Sequence, residues 1–227
     1  MSLYNGMQAK ERLILELHEV RIIDFGQFKL KSGLLSPYYL DLRLLVTFPY
    51  LLELVSDVIW EKIRLLTFDL IAGVPYAALP ISTALSLRHN KPIIMVRKER
   101  KDYGKGKLIE GIYHDGQHVL LIDDVISDGV SKLETIKPIE EEHLVVNDVI
   151  VLVDRGQGGP AMLESHGYHC HSITTMGEIL EVLHKNNRIT FDQYIDARKF
   201  MLDSQKVAAS VDVKDKKLDK HVEKLTK

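Results

Sequence analysis

Val119-Leu-Leu-Ile-Asp-Asp-Val-Ile-Ser-Asp-Gly-Val-Ser131 decides how this chain of 227 residues is read. Four apolar residues predict a buried strand, and two adjacent carboxylates, Asp123 and Asp124, stand at its C-terminal end. A short loop with Ser127, Gly129 and Ser131 then opens a helix. Such a loop aims backbone N–H groups and hydroxyls at a phosphate, helped by the partial positive charge of a helix N-terminus. Gly129 lets the backbone come close, and paired carboxylates suit the two hydroxyls of a ribose. A bare Asp-Asp pair reads more simply as a strand ending in a solvated turn. The whole order of strand, acids, small-residue loop and helix favours a sugar phosphate.

The flanking sequence repeats the alternation. Short apolar runs predict strands at Asp69 to Ala72, Ile93 to Arg97, His118 to Ile122, Val149 to Val153 and His169 to Ile173. Helical patterns fill the gaps at Ala77 to Arg88, Ser131 to Glu142, Pro160 to His166 and Gly177 to Lys185. Nearly pure apolar strands separated by helices imply an α/β fold, a mainly parallel twisted sheet covered on both faces. Right-handed crossovers then bring the strand C-termini to one edge, where ligands of such folds bind. Upstream, Leu13, Leu17 and Val20 mark a helix within Gln8 to Arg21, and Leu51 to Ile63 marks a second. Between them Phe28 to Arg43 reads as a hairpin-like unit broken by Ser-Gly and Ser-Pro.

A hydrophobic fraction of 45% can supply a real core, and thirty basic against thirty-two acidic residues leave a net charge of −2. That balance gives no reason to expect nucleic-acid binding. The single cysteine, Cys170, excludes an intrachain disulfide framework and suits a reducing cytoplasm. No signal peptide and no membrane-spanning run is expected. His166, His169 and His171 cluster near Cys170 without zinc spacing and read as exposed or hydrogen-bonded side chains. One domain is expected over residues 1–203, with a small N-terminal hood at 8–45, a core at 46–203 and a lysine-rich tail or linker at 204–227.

Three further stretches carry chemistry. Arg97-Lys-Glu-Arg-Lys-Asp-Tyr-Gly-Lys-Gly-Lys107 holds six bases against two acids, with two glycines and no apolar anchor. It reads as a mobile cationic loop able to grip a diphosphate leaving group, or as a solvated surface loop. Gly73-Val-Pro-Tyr-Ala-Ala-Leu-Pro80 follows a strand, and Arg155 in Val153-Asp-Arg-Gly-Gln-Gly-Gly159 follows another. Taken alone, Arg155 reads equally as a surface ion-pair residue.

Residues 119–131 resemble the phosphoribosyl diphosphate signature of the type I phosphoribosyltransferases. Residues 97–107 and the hood segment Phe28 to Arg43 are similar to orotate phosphoribosyltransferases, and in motif detail to the transferase half of bifunctional uridine monophosphate synthases. The resemblance runs from about Leu13 to Lys199, through four motifs in the family's order. It implies transfer of ribose 5-phosphate to N1 of orotate, giving orotidine monophosphate in pyrimidine biosynthesis. It implies Lys101 as the main catalytic loop residue, beside Asp123 and Asp124, which hold the ribose hydroxyls directly or through metal-bound water.

The donor's contacts are implied at Lys31, Tyr76, Ala77, Arg97, Lys98, Lys101, Tyr103 and along Asp123, Asp124, Val125, Ile126, Ser127, Asp128, Gly129, Val130 and Ser131. Orotate would meet Lys31, Tyr39, Leu40, Ser127 and Arg155. The resemblance further implies Mg²⁺ held mainly by the donor, and a homodimer whose basic loop reaches the neighbouring subunit. Fusion to orotidine monophosphate decarboxylase is a further implication.

Two positions depart from the pattern. Asp128 stands where Thr, Ser or Ala is usual, and an acid there should weaken phosphate binding unless it points outward or pairs with a base such as Lys132. Ala77 stands where bacterial members often carry Lys. Two other readings stay open: a transferase for another base, which should lack the hood motif and Arg155, or a nucleotide-binding regulator without turnover.

Overall fold

The computed structural model describes residues 8–30, 33–98 and 108–205. The hairpin is β1 (Ile23–Lys29) paired antiparallel with β2 (Leu35–Leu40). The main sheet contains β3 (Leu70–Gly73), β4 (Ile93–Val96), β5 (Ile109–Glu110), β6 (Val119–Ile126), β7 (Asp148–Asp154) and β8 (His169–Thr175). Its order is β5-β4-β3-β6-β7-β8. All pairings are parallel except that of the short edge strand β5 with β4.

This is the α/β arrangement that the alternating sequence predicts. Strand bounds fall close to expectation, with two differences. The two-residue β5 is too short to leave a periodic signal, and β6 continues past the acid pair to Ile126. Asp123 therefore sits inside the sheet, opposite Val151 of β7, and is not beyond the strand's end.

Two apolar layers sandwich the sheet. One face is covered by α1 (Ala9–Glu19), α2 (Pro49–Ile63), α3 (Ala78–His89) and α6 (Met176–Lys185), together with the hairpin and a helical segment over residues 191–205. Leu17, Ile59, Leu85, Ile122, Leu152 and Leu180 meet there, fully or almost fully buried. The other face carries α4 (Val130–Glu141) and α5 (Gly159–Ser165), whose Ile136, Ile139 and Leu163 pack on Leu121, Val149 and Val151. Burying a side chain of this size contributes about 1.5–3 kcal/mol, so these layers supply most of the fold's stabilisation.

Local signals set the helix ends. Pro49 opens α2 at a position where the missing N–H costs nothing. Thr175 and Glu178 form a reciprocal capping box on α6. Asn90 closes α3 in the left-handed conformation.

Strand order positions the site. The chain runs outward from β3 to β4, then returns to place β6 on the other side of β3. Connections leave β3 and β6 toward opposite sides, opening a crevice at their C-terminal ends. The loop after β3 and the acid-bearing end of β6 both lie there.

Candidate active site

Asp123 and Asp124 occupy the last half of β6 and are both buried. Asp123 is closed on each oxygen. Its Oδ1 accepts the Asp124 N–H at 2.8 Å, and its Oδ2 lies 2.6 Å from Lys132 Nζ. Asp124 Oδ1 accepts the Val125 N–H at 2.8 Å. Burial pushes the Asp124 carboxyl up to about 7; the charge of Asp123 and a hydrogen bond to it add to this, while the Val125 N–H and Lys132 oppose it. Asp123 is thus engaged on both oxygens, and Asp124 titrates near neutrality.

Gly129 takes φ of +90° at the cap of α4, a conformation that favours glycine. The backbone from Ser127 onward is wedged against the start of α5. Gly159 N–H donates to the Ser127 carbonyl at 2.9 Å, and a Cβ on Gly159 would stand 2.8 Å from that oxygen and 2.4 Å from Ile126. Gly159, after β7, therefore packs directly on the 127–131 loop, a role that reading each motif separately did not show. Asp128 is exposed, and its Oδ1 accepts the Val130 N–H at 3.1 Å. Asp128 is thus solvent-exposed but turned back onto its own loop, and it does not pair with Lys132, which Asp123 engages.

Beside the loop after β3, a cavity of about 410 Å³ is bordered by Arg97, Lys98 and Ser131, and along α4 by Lys137 together with Glu134 and Glu141. Arg97 pairs with Glu110 at 3.0 Å, and Lys98 Nζ lies 5.0 Å above the exposed Tyr76 ring. Ala77 caps α3. Loop residues Lys101 and Tyr103, together with Lys31 of the hood and the tail from 206, lie outside the described residues.

The hood end is built around Tyr38 and Arg155. The Arg155 N–H donates to the Ile126 carbonyl at 3.0 Å, which ties Arg155 to the C-terminal end of the acid-bearing strand. Its Nε is buried and has no hydrogen-bond partner among the described residues. Burial pushes the Tyr38 phenol up, and the adjacent Arg155 guanidinium pulls it down through charge and hydrogen bonding. Successive strand residues point to opposite faces, so β2 separates the two hood residues expected at one ring. Tyr39 is exposed and stacks on Phe28 at 5.5 Å, while Leu40 is half-buried and packs on the core. Tyr38, between Ser36 and Leu40 on the inner face, is the aromatic that reaches Arg155, and its phase was hidden because Pro37 to Leu40 is apolar or aromatic throughout.

Among the described residues no group of three or more His, Cys, Asp or Glu side chains could hold a metal ion. His171 pairs with Asp148 at 2.7 Å, and His166 meets the Met162 carbonyl at 2.9 Å. No described helix is long and apolar enough to cross a membrane.

No family model matches the chain. Orotate phosphoribosyltransferase of Caenorhabditis elegans is 42% identical over 176 residues, covering 77% of this chain and 78% of that protein. Uridine 5'-monophosphate synthase of Bos taurus is 38% identical over 200 residues, covering 87% of this chain but only 42% of the bovine protein. The chain thus spans about two fifths of that longer relative. The crystal structure of orotate phosphoribosyltransferase from Aeropyrum pernix superposes with a TM-score of 0.68 at 32% identity, over 76% of this chain and 98% of that one. The fold is that of the type I phosphoribosyltransferases, and the chain belongs to the orotate phosphoribosyltransferase family.

Proposed function

We propose that this chain transfers ribose 5-phosphate from phosphoribosyl diphosphate to N1 of orotate, releasing diphosphate and forming orotidine monophosphate for pyrimidine biosynthesis. One juxtaposition carries the reading. A half-buried arginine with an unpartnered Nε stands just past β7, its N–H bonded to the last residue of the neighbouring strand that bears the acid pair. Such a cation suits a small carboxylate-bearing acceptor placed beside a ribose.

Each part of the crevice has a task. The 127–131 backbone and the N-terminus of α4 receive the 5'-phosphate. Asp124 accepts ribose hydroxyls. Arg97, Lys98 and the backbone of 74–77 face the diphosphate, and Lys101 and Tyr103 are assigned to close over it. Arg155 holds the orotate carboxylate with Tyr38 beside it. Holding acceptor and sugar in line removes much of the entropic barrier, and fixed cations stabilise the departing charge.

Mg²⁺ fits this site as an ion carried by the donor's own oxygens, because Asp123 is already spent on Lys132 and no described cluster offers a cage. Bound there, it supplies charge neutralisation of the diphosphate.

We further propose a homodimer in which the 97–107 loop serves the neighbouring site. A reducing cytoplasm is the proposed setting, since a single cysteine offers no intrachain disulfide. Relatives such as the bovine synthase are far longer than this chain, and the transferase portion of a fused synthase is the corresponding role.

An acceptor panel tests the function. With Mg²⁺ and phosphoribosyl diphosphate, mass spectrometry should find orotidine monophosphate in preference to the products of adenine, nicotinate or uracil; preference for another base overturns the assignment. Asp128 offers a smaller test. Its carboxylate holds the Val130 N–H that a phosphate needs, so Asp128→Thr should lower KM for phosphoribosyl diphosphate by about two- to fivefold, the size of one charge at a helix N-terminus. An unchanged KM would show that the carboxylate swings clear at no cost.

A further inference from the structure

We propose that Lys132 is a positioning residue that divides the acid pair, binding Asp123 into the fold and leaving Asp124 to meet the ribose. The proposal rests on the function proposed above and concerns how that site is held ready.

Lys132 lies in the first turn of α4, on the face shared with Thr135, Ile136 and Ile139, and all four are buried. Its side chain is only 4% exposed. The ammonium group lies 2.6 Å from Asp123 Oδ2 and 3.3 Å from Ser131 Oγ, and it donates to the Val125 carbonyl. All three donors of the ammonium group are therefore used within the protein. An aliphatic residue would fill this apolar-face position without the cost of desolvating two charges. The lysine gives something a methionine would not: a cross-brace from α4 to two points on β6.

The brace has a chemical consequence. With Oδ1 on the Asp124 N–H and Oδ2 on Lys132, Asp123 has both oxygens engaged before any sugar arrives. Asp124 takes one N–H, from Val125, and a hydrogen bond with Asp123, but no cation; it is the acid left to accept a ribose hydroxyl. Without Lys132, two buried carboxylates stand side by side with no counter-charge between them. Asp123 is then free to turn, and Asp124 becomes a poorer acceptor because its neighbour's negative charge is no longer offset.

The test compares Lys132→Met, Asp123→Asn and the neutral double variant Lys132→Met/Asp123→Asn with the wild type. Calorimetric binding of phosphoribosyl diphosphate with Mg²⁺ and the separate kcat and KM values are the readouts. Lys132→Met should weaken donor binding about tenfold or more, with kcat changed much less, in the range of coupling expected for a buried charge pair. The double variant, which removes both charges and keeps the Asp124 N–H contact, should bind the donor at least about threefold better than Lys132→Met. A double variant that binds no better than Lys132→Met would overturn the proposal, because the Asp123 carboxylate would then be holding the sugar itself. Unchanged donor binding in Lys132→Met would overturn it as well.

Should circular dichroism show Lys132→Met unfolded, the double variant decides: weaker donor binding than Asp124→Asn refutes the division of roles, and tighter binding supports it. Wild-type turnover of orotate in the same assay tests the underlying function separately.

Discussion

Replacing Arg155 by glutamine is expected to lower kcat/KM for orotate by about 30-fold or more, the lower end of what losing one partner of a buried charge pair costs. The guanidinium can meet a carboxylate with two parallel hydrogen bonds, which a glutamine amide cannot reproduce with charge. Its Nε is buried without a partner among the described residues, while the rest of the guanidinium meets the Tyr38 phenol. Thermal stability of Arg155→Gln should therefore fall only by about the 0.5–1.5 kcal/mol of one ordinary hydrogen bond, and KM for the donor should change little. A fall in orotate kcat/KM below about threefold, less than one ordinary hydrogen bond, would remove Arg155 from the acceptor site.

Asp124→Asn should act in opposite directions on activity and stability. Accepting ribose hydroxyls through an ionised carboxylate is worth about 1.5–3 kcal/mol, so the variant should lose about 10- to 100-fold in kcat/KM for phosphoribosyl diphosphate. Its stability at pH 8 should rise. Burial and Asp123 lift this carboxyl from 3.8 to about 7, so the folded state holds its proton where the unfolded chain has released it. With the folded value raised above the unfolded one, this group's contribution is most favourable below about pH 4, declines as pH rises toward 7, and is least favourable above that.

Removing the ionisable group should therefore stabilise most above pH 7 and least near pH 4. Melting curves of both proteins at pH 5 and pH 8 would show it, at about 2–4 °C for each kcal/mol in a domain of this size. The same titration gives wild-type donor kcat/KM an acidic limb near pH 7 that Asp124→Asn should lack. A melting advantage that does not grow with pH would contradict this account of Asp124.

Much of the fold was legible because the three central strands of the main sheet, β3, β6 and β7, are buried on both faces or nearly so. Val119 to Ile122 and Val149 to Val153 are apolar without interruption, and helices of ordinary periodicity separate them. The acid pair, the small-residue loop and Arg155 stood out for a related reason: the acids lie in the last half of a strand and the others follow strands, at the sheet edge where such folds bind ligands.

What was hidden depends on contacts between distant segments. Two carboxylates looked like the end of β6, yet the strand runs on because Lys132 and backbone N–H groups satisfy them inside the sheet. The clue was present in the spacing of Lys132, Ile136 and Ile139, which puts a lysine on an apolar helix face. It pointed to a buried partner and away from the exposed Asp128. The contact of Tyr38 with Arg155 was not legible because a run with no polar alternation does not reveal which side chain faces inward. The contact of Gly159 with Ser127 joins two motifs that are 32 residues apart, and only the folded sheet brings them together.

The most direct measurement is the loss of orotate absorbance when the protein is mixed with phosphoribosyl diphosphate and Mg²⁺. The account predicts steady orotate consumption that requires the donor, falls sharply in both Arg155→Gln and Asp124→Asn, and is matched by equimolar diphosphate. Donor binding with no loss of orotate would contradict it.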